Sequence, residues 1–265
     1  AQVVAHKKVF TSAGLYVVSK ADKPEQQWYS KCPRCDQIRT ASTEEALMKN
    51  CLICQNLITK QHTQLFIEPS SFSVRIDKKK RGSMKLRRNT LIRQRQSLTH
   101  FIDSVNDDRF QPMGEFRVAL EENGLLFRYN LGLGNKGFVF CQECGYSDPF
   151  HNYQLGKKHK KLRVFSGTAD CNNTNLWPKL AYGHQFRSFC LIVRPLKYIS
   201  SIESFAFALQ KGLCAALDVE LPDIGVSWRW LATKTNPQAR KEIILYDSTP
   251  GGSGFVKDGL NNWGV

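Results

Sequence analysis

The sequence predicts an α+β fold, mixed sheets with interspersed helices, and three observations carry that reading. Short alternating apolar stretches recur along most of the 265 residues, as half-buried strands require. One stretch, residues 200–219, repeats its apolar residues at helical spacing instead. Three Cys-x-x-Cys pairs, at Cys32/Cys35, Cys51/Cys54 and Cys141/Cys144, break the strand-like segments with tight turns. The order is strands with helices between them, without a regular strand–helix alternation, which favours α+β over a doubly wound sheet. At 42% apolar, a chain of this length can bury a core. Its mean hydropathy of −0.38, with no apolar run near the ~18 residues of a spanning helix, argues against a membrane protein, and the cysteine usage taken up below points to a reducing compartment, the cytoplasm.

Taken in order, residues 14–20 (GLYVVSK) read as a short strand, and residues 64–76 as two extended segments broken at Pro69. Residues 77–90 are basic and poor in large apolar side chains, so an exposed loop is expected. Leu91, Leu98, Ile102 and Val105 recur at helical spacing after Asn89 or Thr90, either of which can cap a helix. Strands follow at residues 115–120, 125–131 and 137–144, joined by Glu-Asn-Gly and by a loop with Gly132, Gly134 and Gly137. That loop spells a dinucleotide fingerprint, but a strand follows it where the fingerprint needs a helix, so a hairpin turn is expected. Residues 184–195 are a strand. In the helix that follows, Ser200 and Glu203 form a capping box, and Ile202, Phe205, Ala206, Leu209, Leu213, Ala216 and Leu217 form the apolar stripe. Cys190 and Cys214 read as buried core thiols. Two strands, 224–232 and 241–247, lead into the turn Ser-Thr-Pro-Gly-Gly-Ser-Gly.

The nine cysteines are odd in number, six of them fall in close Cys-x-x-Cys pairs and the first ten residues are not a secretory leader, which together argue against a disulfide framework and for metal ligation. Cys32, Cys35, Cys51 and Cys54 have the C-x2-C-x15-C-x2-C spacing of a structural Zn2+ site, in which two knuckles complete a tetrahedron. An iron–sulfur cluster is the rival, and nothing else in the sequence suggests electron transfer. Cys141 and Cys144 need two further ligands. Cys171 is the natural third and His159 the chosen fourth, with His151, His184 and Cys190 as alternatives.

The net charge of +15 is concentrated. Residues 75–95 hold ten basic residues and one acid, and residues 157–163 hold five basic residues and none. Two such patches point to a polyanion, and nucleic acid is the expected partner. The candidate contacts are Lys78, Lys79, Lys80, Arg81, Lys85, Arg87, Arg88, Arg93, Arg95, Lys157, Lys158, Lys160 and Lys161. Phe72, Phe101 and Phe165 lie near the patches and could stack on bases, although a core role suits each of them better. There is no Walker A sequence, no H-E-x-x-H and no G-x-S-x-G. The acids Asp103, Asp107 and Asp108 cluster, as in metal-dependent nucleases, but read better as a solvated helix end. No catalytic residue is therefore assigned.

Several motifs occur in a familiar order: Asn130-Leu-Gly132 to the knuckle Cys141-Gln-Glu-Cys144-Gly145, then Tyr182-Gly-His-Gln-Phe186, then Asp247-Ser-Thr-Pro250-Gly251-Gly252-Ser-Gly254-Phe255. With Phe66-x-x-Pro69-x-x-Phe72, they resemble the zinc-binding domain family named after the mitomycin repair helicase, over roughly residues 28–258. The resemblance implies a place beside a superfamily-2 DNA helicase, as a C-terminal region or as a partner subunit. Such domains occur in DNA repair and in anti-phage defence, as in the DrmB subunit of DISARM and the large helicases of Druantia. It implies a zinc-stabilised, non-catalytic DNA-binding module in a bacterium, with any ATPase on a partner chain or a missing part of this one. The family continues past the Pro-Gly-Gly motif, so the chain is expected to be a piece of a longer protein, truncated at its C-terminus. The expected division is a zinc-ribbon region at 1–76, a basic loop and helix at 77–110, and a second zinc-binding domain at 111–265. Two other readings are a nuclease or nucleotide-processing enzyme, and a protein–protein scaffold that binds no DNA. Asp247, Pro250, Gly251, Gly252 and Gly254 read as a structural turn, with a phosphate cradle as its functional rival.

Overall fold

The structure is a computed structural model. It describes residues 2–5, 8–15, 24–69, 72–76, 98–103, 105–149, 159–160, 170–231 and 240–263. The strands run in chain order as β1 (Gln2–Ala5), β2 (Lys8–Leu15), β3 (Gln26–Lys31), β4 (Ile38–Ala41), β5 (Thr63–Ile67), β6 (Phe72–Ile76), β7 (Leu98–Phe101), β8 (Gln111–Met113), β9 (Phe116–Asn130), β10 (Phe138–Phe140), β11 (Ser147–Pro149), β12 (His159–Lys160), β13 (Asp170–Cys171) and β14 (Trp177–Pro195). Helix α1 (Ile202–Leu217), β15 (Ile224–Leu231), β16 (Arg240–Asp247) and helix α2 (Phe255–Asn261) follow. The architecture is the expected α+β, dominated by sheet. The described residues form two compact units, each drawn from three stretches of sequence: 1–27, 64–97 and 129–184 in the first; 28–63, 98–128 and 185–265 in the second.

In the first unit β1, β2 and β6 form an antiparallel sheet. β10 pairs antiparallel with β11 and with the start of β14, which continues parallel to β5 through Ala181↔Phe66 and Tyr182↔Ile67. Leu15, Ile67, Phe140 and Leu180 are buried together between these strands.

In the second unit the C-terminal half of β14 pairs with β16, and β16 pairs with β15, all antiparallel. This sheet is buried on both faces, which explains its unbroken apolar runs. Side chains alternate across the strand. Cys190, Ile192, Ile244 and Tyr246 pack on one face with Phe101, Phe110 and Leu126. Leu191, Val193, Ile243 and Leu245 pack on the other, beneath α1 and α2. Cys190 and Cys214 are both buried in these cores, and burial pushes the Cys190 thiol well up.

Four local expectations need correction. Residues 98–101 are strand β7, not the second half of a helix, and Leu91 lies outside the described residues. Leu98 is exposed and Phe101 buried, and β7 takes its hydrogen bonds from β9; long-range pairing overrides the helical spacing. β9 runs unbroken through Glu-Asn-Gly instead of turning there. Gly124 is needed for close approach: a Cβ would sit 2.7 Å from the Phe101 ring and 2.8 Å from Cys190 Sγ. The glycine loop at 132–137 is a turn but not a hairpin, because β10 pairs with β11 and β14 and β9 pairs elsewhere. Helix α1 is capped by Ser201, whose side chain accepts from the Ser204 N–H, one residue later than the capping box predicts. Its apolar stripe packs as expected except at Ala216, which is exposed.

Candidate metal centres and the glycine turn

Each Cys-x-x-Cys segment folds into the same knuckle. The first cysteine's N–H donates to the carbonyl five residues on, and its carbonyl accepts from the N–H four residues on. The distances are 2.9 and 3.0 Å for Cys32 with Gln37 and Asp36, 2.8 and 2.9 Å for Cys51 with Asn56 and Gln55, and 2.9 and 2.9 Å for Cys141 with Tyr146 and Gly145. The turn requires a left-handed residue at the fourth step, and Asp36 (φ 58°), Gln55 (φ 58°) and Gly145 (φ 71°) supply it. These bonds turn both thiols of a pair to one side.

In the second unit, Cys32, Cys35, Cys51 and Cys54 converge with every sulfur within 4.8 Å of the others, and all four are buried. Cys32 Sγ lies 3.5 Å from Cys54 Sγ, and Cys35 Sγ 3.5 Å from Cys51 Sγ. Four thiolates about 2.3 Å from a tetrahedral Zn2+ would be about 3.8 Å apart, so the set is already near ligating distance. In the first unit, Cys141, Cys144, His159 and Cys171 form the other group. His159 and Cys171 face each other across the two-residue ladder of β12 and β13. His159 Nε2 is 3.2 Å from Cys144 Sγ, and Cys141 Sγ is 3.9 Å from Cys171 Sγ. The His159 ring stacks on Tyr146, with centroids 4.6 Å apart. Of the alternative fourth ligands, His184 and Cys190 are outside the group, and His151 lies outside the described residues.

The thiols of each set cannot all ionise together. The hydrogen bond from Cys35 lowers the Cys51 thiol to about 4, while that bond and burial push Cys35 up. Cys141 is likewise lowered to about 4, chiefly by Cys144, whose own thiol is raised. Burial raises Cys32 and Cys171. A divalent cation held by the four donors removes that conflict by neutralising the thiolates. The donor sets, four thiolates in the second unit and three thiolates with one imidazole in the first, fit zinc. With four protein ligands each site is closed, so zinc held there would supply folding energy and would leave no position for a substrate.

Two features beside these sites had little signal in the sequence. The Asn173 amide lies 3.6 Å from Cys141 Sγ, a donor aimed at a ligand atom. In the second unit, buried Glu242 receives Arg194 Nε at 2.6 Å and Arg229 Nε at 2.7 Å. Arg194 also pairs with Asp107 and lies over the Phe110 ring. Arg229 Nη1 reaches Gln37 Oε1 at 3.2 Å and the Asp103 carbonyl at 2.7 Å. Gln37 is the residue whose carbonyl holds Cys32, so this charge network grips the first knuckle. The only hint was a charge inside each of three apolar strands.

The acidic cluster is drawn into the same framework. Asp103 accepts from the Leu125 N–H at 2.8 Å, Asp107 pairs with Arg194, and Asp107 and Asp108 sit on an exposed 3-10 turn, Asp107–Arg109. At the glycine turn, the fully buried Asp247 carboxylate accepts from Ser253 N (2.7 Å), Gly254 N (2.5 Å) and Val256 N (3.0 Å). These are the donors a phosphate would need, so the turn is tied to its own aspartate. Gly251, Gly252 and Gly254 all have positive φ, and Pro250 is exposed beside them.

The basic residues named from the sequence lie outside the described residues, except for Lys160, whose backbone is in β12. Phe165 also lies outside them. Phe101 is buried and is core. Phe72 starts β6.

The arrangement defines a class: a sheet-rich α+β chain held by two closed four-ligand sets suited to zinc. Comparison with known proteins adds a relative. The chain is similar to the Druantia protein DruE of Escherichia coli (strain UMEA 4076-1), 23% identical over 294 residues, covering 96% of this chain and 15% of that protein. It thus spans about 15% of the length of this curated relative. Among solved structures, the DUF1998 helicase MrfA bound to DNA matches with a TM-score of 0.32 and 11% identity, over 63% of this chain and 19% of that one. No family model matches. Among the described residues, no helix is long and apolar enough to cross a membrane.

Proposed function

We propose that this chain is a non-catalytic, zinc-stabilised module that binds DNA and works with a superfamily-2 helicase, as a subunit beside it or a domain joined to it, in bacterial anti-phage defence or DNA repair. The observation that carries the proposal is the pair of closed metal-ligand sets. Both spend their ligands on structure, so the chain's contribution is a surface. The similarity to a Druantia protein favours defence, acting on DNA in the cytoplasm. The excess charge supplies the affinity: the basic runs at 75–95 and 157–163 suit phosphates and carry no base-specific readout. Asp103 and Asp107 are engaged in holding the fold, which fits a binding role better than a cleaving one.

The test is fluorescence anisotropy with labelled DNA over a salt series. Reversing Lys78, Lys79, Lys80 and Arg81 to Glu is expected to weaken binding for every DNA sequence. It should also flatten the slope of log affinity against log salt by about 3–4 units, near 0.9 per phosphate contact. An unchanged slope overturns the assignment of that run. Divalent-metal-dependent cleavage of DNA, abolished by Asp103→Ala or Asp107→Ala, overturns the non-catalytic reading. Capture of the tagged chain from its host without a helicase overturns the partner assignment.

A further inference from the structure

The two ligand sets differ at one atom. His159 is 6% exposed, and its Nε2 is turned to Cys144 Sγ at 3.2 Å, inside the ligand group. Its other ring nitrogen, Nδ1, is buried and has no hydrogen-bond partner. Among the described residues no other buried side-chain nitrogen or oxygen is left in that state. The Tyr146 ring covers one face of the imidazole. The strand that carries His159, β12, is two residues long and forms a sheet of its own with β13. Cys144 is the one ligand of either set that is not buried. In the four-cysteine set every residue is at most 1% exposed, and a thiolate has no second proton to place.

A ring nitrogen that ligates a metal carries no proton, so the neutral imidazole keeps its one proton on the other nitrogen. With Nε2 as the ligand atom that proton falls on Nδ1, where burial denies it water and no described residue accepts it. A metal-bound histidine almost always donates this proton to a carboxylate, a carbonyl or water, and loss of such a partner lowers metal affinity about 10–100-fold. The Asn173 amide serves Cys141 and not His159. Without the metal the proton can stay on Nε2 and go to the Cys144 sulfur, which leaves Nδ1 a bare lone pair. Metal binding therefore exchanges a made hydrogen bond for an unmade one at this ring. The four thiolates of the other set carry no such cost.

We infer that the two metal centres are not equivalent. The four-cysteine set of the second unit is a permanent zinc site, and the set built on His159 is an exchangeable one, about 10–100-fold weaker, whose occupancy follows the free zinc concentration. At low free zinc the wild-type chain holds one ion, and at higher free zinc two. What the second ion adds is a tie between β12 and β13, since His159 and Cys171 stand opposite each other there. This assignment rests on the zinc reading above and is independent of DNA binding.

The experiment equilibrates the full zinc-loaded chain against a series of zinc buffers and counts bound zinc by elemental analysis. Two steps are expected, one ion lost at a free zinc concentration about 10–100-fold above that at which the other is lost. His159→Ala should shift or abolish the weaker step and leave the tighter one in place. In the fully loaded wild type, nitrogen-15 spectra of labelled histidine should place the His159 proton on Nδ1 and the metal on Nε2. The same signals should change across the weaker step, which identifies the site without a substitution if His159→Ala does not fold. Loss of both ions in one step, a first loss that leaves the His159 signals unchanged, or a proton found on Nε2 in the loaded chain overturns the inference, while two bound ions leave the zinc reading standing. A folded chain that holds no zinc overturns both.

Discussion

Replacing Gly252 by Ala separates two costs that a glycine turn usually merges. Gly251 and Gly252 both lie in the left-handed region, at φ 85° and 77°. At Gly251 an added Cβ meets nothing within 4 Å. Gly251→Ala should therefore cost only the conformational strain of an L residue there, about 1–2 kcal/mol. At Gly252 the added Cβ lies 2.3 Å from Phe189 Cδ2 and 3.1 Å from the Phe189 backbone N. The ring packs against the sheet face under α1 and α2 and cannot swing freely, and the backbone atom cannot move without β14. Overpacking of this kind adds about 1–3 kcal/mol, so Gly252→Ala should cost about 2–5 kcal/mol in all. Urea unfolding of the zinc-loaded chain, followed by tryptophan fluorescence, measures both variants. Equal losses would show that the Phe189 contact is irrelevant, and no loss in either would show that the turn is not left-handed. DNA affinity of the folded fraction should be unchanged in both. A drop in affinity with unaltered stability would restore the phosphate-cradle reading that Asp247 displaces.

Three further outcomes are expected. Elemental analysis should find about two zinc ions per chain, and Cys32→Ser should lose one of them and loosen the region around the first knuckles, since ligand binding is folding energy there; iron, or a folded chain without metal, refutes the assignment. Glu242→Gln leaves two buried guanidinium groups around a neutral partner and should cost about 3–5 kcal/mol, and a chelator should then strip the four-cysteine site faster than the site that includes His159, because Arg229 holds Gln37; equal rates would disconnect the network from the knuckle. His100 is lowered to about 4, first by burial and then by Lys31, so the unfolded chain takes up a proton near pH 6.5 that the folded chain refuses until about pH 4. Stability should fall across that window by up to about 3 kcal/mol, and His100→Gln should remove that part of the slope; identical pH profiles for the two proteins would refute it.

What could be read in the sequence, and what could not, divides by the range of the interactions involved. The three knuckles are local: two thiols, two intervening residues and one left-handed position suffice, so Cys-x-x-Cys announces itself. The Asp247 turn is local as well, with donors six to nine residues along the chain. His159 was named among four candidates, but its place opposite Cys171 depends on a ladder that spacing alone does not specify. Residues 91–105 show the reverse failure. Their apolar residues recur as a helix would have them, yet Thr99 and Phe101 suit a pleated surface, and β9 offers a partner whose position no local pattern reveals. Gly124 misled for the same reason, marking a close contact with Phe101 and Cys190 rather than a turn. The Arg194–Glu242–Arg229 network was hidden because each charge, taken alone, reads as a solvent-facing position in an apolar strand. These errors bear on function. Local chemistry identified the groups that suit metal, and those groups are closed. The surfaces left to do binding work are assembled from distant residues, as the meeting of Phe207 with Trp228 and of Lys241 with Tyr198 shows. A sequence motif cannot encode such a surface, because its elements come together only when α1, β15 and β16 pack.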